Sequence, residues 1–135
     1  MRNFDRNKTL EELEGEVWGE PDYRSGLVLA CYALRKKPLK DFTDDDLRRK
    51  IVQNDSLPYL IPLAIEILRE HSLSKGDISQ TDLLQAVLHV EASFWTENVD
   101  LWQEVNKIVL DMEELKEMIE GILSKAENFR FRPWQ

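Results

Sequence analysis

Three side chains in the sequence are soft metal ligands, Cys31, His71 and His89, and a catalytic zinc needs about three protein ligands gathered at one point with a position left open. His89-Val-Glu91 matches the first half of a zinc deaminase signature, in which the histidine binds metal and the glutamate shuttles protons. The second half is a Pro-Cys-x-x-Cys word that a chain with one cysteine cannot supply. No metal site is expected, and each histidine is read as helix-borne or capping. Nucleophilic catalysis requires a base beside a serine, threonine or cysteine, and neither histidine stands in a nucleophile motif. Cys31, among Leu29, Ala30 and Ala33, is expected to be a buried, inert thiol. Gly15 and Gly19 fit neither spacing of a phosphate-binding loop, so no cofactor is expected. The 26 acidic residues do not exclude a glycosidase-type carboxylate pair by counting, but a charge-rich helical surface accounts for them more simply.

One acidic segment stands apart. Glu11, Glu12, Glu14, Glu16 and Glu20 carry five negative charges with no basic residue between Thr9 and Tyr23. Such a one-signed patch repels itself, and a cationic partner would relieve the repulsion. Glu113, Glu114, Glu117 and Glu120, near the C-terminal end, form a second acidic candidate. The two basic clusters, Arg35, Lys36, Lys37 and Lys40, then Arg48, Arg49 and Lys50, flank Asp41, Asp44, Asp45 and Asp46. A helix end followed by an acidic helix start is what dipole complementarity predicts, so these clusters are assigned to structure. Trp95 and Trp102 are expected in the core; the place of Trp18, beside Gly19-Glu20-Pro21, is open.

The elements that must hold these residues follow from composition and periodicity. A chain of 135 residues with 42% hydrophobic side chains suits one domain, burying roughly two thirds of its unfolded surface. The net charge of -8 disfavours nucleic acid and anionic membranes as partners. The first residues lack the apolar run of a secretory signal, and the most apolar stretch, Leu57 to Leu68, is broken by Pro58, Pro62 and Glu66. A cytoplasmic protein is expected, which also suits a lone cysteine.

Helix starts are marked by a short hydroxyl residue followed three positions on by an acid: Thr9 with Glu12, Thr43 with Asp46, Ser79 with Asp82. The pattern predicts helices over Leu10 to Glu14, ended by Gly15; Ser25 to Lys36; Asp44 to Gln53; Ile61 to His71, with Pro62 at its first position; Gln80 to Val90; and Val99 to Ala126. Leu57 to Leu60 is read as a separate turn. In the last helix Leu101, Val105, Ile108, Val109, Met112, Leu115, Ile119 and Ile122 recur at three and four, as on an amphipathic helix laid across a globular core. No period-two segment supports a sheet. The fold expected is an all-α, single-domain bundle of five or six helices over residues 1–135, with residues 1–8 and 128–135 loosely ordered. The basic, aromatic end, Phe129, Arg130, Phe131, Arg132 and Trp134, is open to either docking or solvation.

Several words in this order resemble a known family: Thr9-Leu-Glu-Glu-Leu-Glu-Gly15, Trp18-Gly-Glu-Pro21, Leu34-Arg-Lys-Lys-Pro-Leu39, Phe42-Thr43, Asp46-Leu-Arg48 and Tyr59-Leu-Ile-Pro-Leu-Ala64. Gly76-Asp77, Asp82-Leu-Leu84, Ala86-Val-Leu88 and Phe94-Trp95 extend the match to about Trp102. The family is that of the contact-dependent growth inhibition (CDI) immunity proteins; this chain departs from it at Ile78-Ser-Gln-Thr81, where an aromatic-Pro-Gly word is expected. The resemblance implies a small bacterial protein without enzymatic activity. Its partner is the cognate toxin domain of a CdiA-type adhesin, commonly a nuclease. The toxin-binding candidates are then the two acidic groups, Glu11, Glu12, Glu14, Glu16 and Glu20, with Glu113, Glu114, Glu117 and Glu120 as the alternative. The rival reading is a small helical enzyme or adaptor subunit with a carboxylate-rich site.

Overall fold

The computed structural model describes residues 3–21, 25–130 and 134. Among them the chain forms seven α-helices and no strand: α1 (Leu10–Glu14), α2 (Gly26–Leu34), α3 (Asp44–Val52), α4 (Leu57–Glu70), α5 (Thr81–Leu88), α6 (Ala92–Glu97) and α7 (Val99–Arg130). Short 3-10 turns at Leu39–Asp41 and Leu73–Lys75 link α2 to α3 and α4 to α5. The all-α expectation holds, with one helix more than the five or six expected. The additional one is α6, whose six residues are too few to show a period and whose N-cap, Glu91, makes no side-chain capping bond.

Two of the three predicted helix starts form as capping boxes. Thr9 accepts from the Glu12 amide while the Glu12 carboxylate accepts from the Thr9 amide, and Thr43 and Asp46 do the same on α3. The third does not form. The Ser79 amide turns back to Asp77 Oδ1 at 2.9 Å, and α5 begins from Gln80 without a side-chain cap. α2 stops at Leu34, short of the expected Lys36, as the Lys36 and Lys37 amides tighten onto the Ala33 and Leu34 carbonyls. α4 begins four residues before the expected start. Pro58 lies in its first turn, where a missing amide costs little, so Leu57 and Leu60 are buried helical residues rather than a separate turn. Pro62 then lies inside the helix and forfeits one ladder bond; burial of the surrounding leucines and isoleucines outweighs that loss, at roughly 1.5–3 kcal/mol each.

α4 is the central element. Leu60, Ile61, Ala64 and Ile65 are fully buried against Leu10 of α1, Leu47 and Ile51 of α3, Leu83 and Val87 of α5, and Leu101 and Val105 of α7. The segment before α1 is stitched to this body: Arg6 pairs with Glu66 of α4, the Lys8 and Arg6 carbonyls accept from the Leu39 and Lys40 amides, and Phe4 meets Tyr59 edge-on at 5.3 Å.

α7 corrects the expectation of a helix laid wholly across the core. Leu101 and Val105 are buried and Ile108 and Met112 pack partly against the core, but Ile119 and Ile122 are exposed. At 1.5 Å per residue its 32 residues span roughly 48 Å, more than the body of the domain beneath it requires. Trp102, expected in the core, is 46% exposed, whereas Trp95 is half-buried against Phe94. Phe129 and Trp134 are exposed; Phe131 and Arg132 lie outside the described residues. Among the described residues no helix is long and apolar enough to cross a membrane.

Candidate interaction surface

α1 carries the acidic segment, and its local chemistry explains where each carboxylate goes. The capping box fixes its start, and Gly15 ends it in the left-handed conformation (φ 67°) that an L-residue adopts only at a cost. Leu10 is buried on the inner face, and the Glu11 amide donates to the Arg35 carbonyl at 3.2 Å, tying α1 to the end of α2.

Arg35 and Lys50 are 1% and 0% exposed, which a cation tolerates only when paired. Arg35 Nη1 donates to Glu14 Oε1 at 2.6 Å, and Nη2 donates to the Glu16 carbonyl at 2.9 Å. Ser56 Oγ also donates to the Glu14 carboxylate, and Lys50 Nζ donates to Asp55. Both cations face the Trp18 indole, Arg35 Cζ at 4.3 Å and Lys50 Nζ at 5.0 Å from its centroid, and Tyr32 meets the indole edge-on at 5.1 Å. Cation–π attraction of this kind strengthens when water is excluded. Ser56 takes a positive φ of 54° before α4, so its hydroxyl is free to reach across to Glu14.

The predicted acidic segment is therefore not one surface. Glu14 faces inward as the counter-ion of Arg35, with its side chain 26% exposed. Glu12 is engaged in its capping box, Glu11 is half-buried, and Glu16 contributes its main chain to Arg35 while its side chain stays at the surface with Glu20. The alternative group stands on α7, where Glu113, Glu114, Glu117 and Glu120 are all exposed, Glu120 within 3.8 Å of Lys116. The two groups stand on separate elements, one at α1 and the loop after it and the other on α7. Four residues of the two basic clusters are held in ion pairs within the fold: besides Arg35, Arg48 and Lys50, Lys37 pairs with Asp46 at 2.7 Å, while Lys36, Lys40 and Arg49 are exposed. Burial opposes ionisation of Asp46, yet hydrogen bonds from Lys37 and Thr43 hold its carboxyl below the usual range.

Two features were not read from the sequence. The Trp18 box joins residues from four separate stretches, and the one local hint was an aromatic next to an acidic segment. The second is an open groove of about 430 Å³ between α3 and α5, lined by Asp44, Asp45, Arg48, Gln80 and Asp82. Gln80 donates to Asp44 at 2.7 Å, and Arg48 lies 3.7 Å from Asp45, so its charge is partly answered from within.

The soft ligands lie apart. Cys31 is buried and its sulfur accepts from Gln53 Nε2 at 3.1 Å. His89 Nδ1 bonds the Gln85 carbonyl at the end of α5, and His71 pairs with Asp77 at 2.9 Å beyond α4. Among the described residues no three His, Cys, Asp or Glu side chains are grouped as a metal would require.

A family model described as CDI immunity proteins matches residues 12–105, well over half of the chain. No curated protein and no solved structure matches. The matched span runs from within α1, through the Trp18 box and the core around α4 apart from Leu10, to Val105, the last buried residue of α7. The projecting part of α7 lies beyond it. The match thus takes in most of the residues that build the fold, and the chain belongs to the CDI immunity proteins.

Proposed function

We propose that this protein neutralises a cognate toxin domain by binding it one to one, in the cytoplasm of the cell it protects, without catalysing a reaction. The observation that carries the reading is the family match across residues 12–105, which hold all of the buried core but Leu10. The toxin proposed is the nuclease domain of a CdiA-type adhesin. A nuclease holds phosphates in a positive cleft, and a carboxylate-bearing surface of a chain with net charge -8 is suited to occupy that cleft.

The contact proposed first is the outer side of the α1 segment, Glu11, Glu12, Glu16 and Glu20. Its support is rigidity: the Arg35 and Trp18 contacts fix the backbone beneath these side chains, so little ordering cost remains at binding. Glu14 is assigned to holding that surface rather than to touching the toxin. Glu113, Glu114, Glu117 and Glu120 remain the alternative contact.

Coexpression with the candidate cognate toxin domain tests the reading. Wild-type protein is expected to restore growth and to copurify with the toxin. Lysine at positions 11, 16 and 20 together, which spares the capping box, is expected to slow association about tenfold or more at low salt and to flatten its salt dependence. Absence of binding and of protection by the wild type overturns the immunity reading. Protection with an unchanged association rate in the triple variant, and in a matching reversal on α7, overturns the acidic contact alone.

A further inference from the structure

α7 carries a regular seam that the domain covers at one end only. Leu101, Val105, Ile108, Met112, Leu115, Ile119, Ile122, Ala126 and Phe129 alternate spacings of four and three without a break. This is the heptad signature of a helix that packs against another helix along its length. From Leu101 to Met112 the partner surface is the chain's own core. Beyond Leu115 none of the described residues covers it: Ile119 is 45% exposed, Ile122 65% and Phe129 90%, flanked by Met118 at 65% and Leu123 at 45%. These side chains leave on the order of 600 Å² of apolar surface in one stripe, the upper end of what a monomer keeps in a single patch. Together with the polar flanks, the stripe approaches the roughly 800 Å² per partner of a stable interface.

We infer that the projecting half of α7 pairs, antiparallel, with the same half-helix of a second copy of this chain. The orientation follows from where the core lies. A parallel copy would set its Leu101–Met112 stretch in the space that the first copy's core already fills, whereas an antiparallel copy places the two cores at opposite ends. The seam is also complementary to itself when reversed. With Ile119 opposite Ile122 of the second copy, Leu115 meets Ala126, and Phe129 meets the part of Met112 that the core leaves uncovered, so every layer sets apolar against apolar. Six such layers repeat across roughly 27 Å of helix. Glu113, Glu114, Glu117 and Glu120 fall at heptad positions on the far side, so pairing leaves them in solvent. The inference is independent of how the toxin is bound.

The test is the mass in solution. Wild-type protein at micromolar concentration is expected to sediment at twice the 15.9 kDa chain mass. Ile122→Asp, at an exposed site, is expected to halve that mass, while Glu117→Lys, on the far side, leaves it unchanged. Cooperative thermal unfolding of each variant establishes that its fold is intact. Orientation is read by oxidising Met112→Cys and Phe129→Cys chains, separately and mixed: the antiparallel register gives a disulfide dimer in the mixture and far less from either alone. A monomeric wild type, a dimeric Ile122→Asp, or equal crosslinking of each variant with itself overturns the inference. A seam that is monomeric alone and becomes protected only when a toxin domain is added also overturns it, while leaving the immunity reading standing.

Discussion

Removing the charge of Glu14 tests whether the acidic segment is split as the geometry indicates. In Glu14→Gln the Arg35 guanidinium, 1% exposed, keeps the Glu16 carbonyl and the Trp18 face but loses the Glu14 carboxylate that pairs with it at 2.6 Å. A buried ion pair broken on one side costs 3–5 kcal/mol, about what an uncompensated buried charge demands. Here the carboxylate side is 26% exposed, so water can approach the vacated position, and the amide still accepts one bond. The expected loss is about 2 kcal/mol, seen as a fall of roughly 6–10 °C in Tm for a domain of this size. Glu16→Gln, two residues away, is expected to cost less than about 0.5 kcal/mol, because Arg35 uses only its main chain there. Denaturant unfolding of both variants, and of Glu14→Gln in an Arg35→Met background, gives the coupling directly. Equal effects at positions 14 and 16, or a coupling below about 0.5 kcal/mol, would refute the assignment of Glu14 to the interior.

Three further outcomes are expected. Thr43→Ala removes the acceptor for the Asp46 amide at the start of α3 and is expected to cost about 1 kcal/mol in chemical denaturation. Gly15→Ala meets no atom within 4 Å, so its cost is that of the left-handed backbone alone, about 1 kcal/mol, again read by denaturation. His71 is raised above 6.5, chiefly by its hydrogen bond to Asp77, and Asp77 is lowered to about 2, chiefly by hydrogen bonds from Ser79 and then by His71. The His71 contribution to stability is thus complete below pH 6.5 and fades as pH rises through the raised folded value; that of Asp77 is present above 3.8 and fades as pH falls toward about 2. Asp77→Asn is expected to lower the His71 midpoint in a proton NMR titration, and an unchanged midpoint would remove the pair from the account.

What the sequence made legible was local. Thr9 with Glu12 and Thr43 with Asp46 encode their capping boxes within four residues, and Gly15 encodes its own stop. The family words likewise lie in short stretches, each tied to one element. Ser79 with Asp82 carried the same local signal and failed, because Asp77 offered the Ser79 amide a nearer acceptor. Leu57 to Leu60 read as a turn because two prolines stood close together, and only the burial supplied by α3, α5 and α7 makes that stretch helical. The acidic segment was visible as charge, yet the division between Glu14 and its neighbours depends on Arg35, 21 residues away, and on Ser56, 42 away. An amphipathic face was legible as periodicity in α7, but periodicity does not state where the core beneath it ends.

The Arg35 contact with Glu16 is made through a carbonyl that every amino acid possesses. Codon 16 can therefore change freely without disturbing the guanidinium beneath it, while codon 14, two positions earlier, is held to an acid. Under selection to follow a diverging toxin, this stretch is expected to accumulate substitutions in an alternating rhythm, with constrained and permissive sites interleaved along one short ribbon. New specificities then arise beside the anchor at no cost to folding, and lineages that share this Trp18 box can drift apart in what they recognise while keeping the same interior.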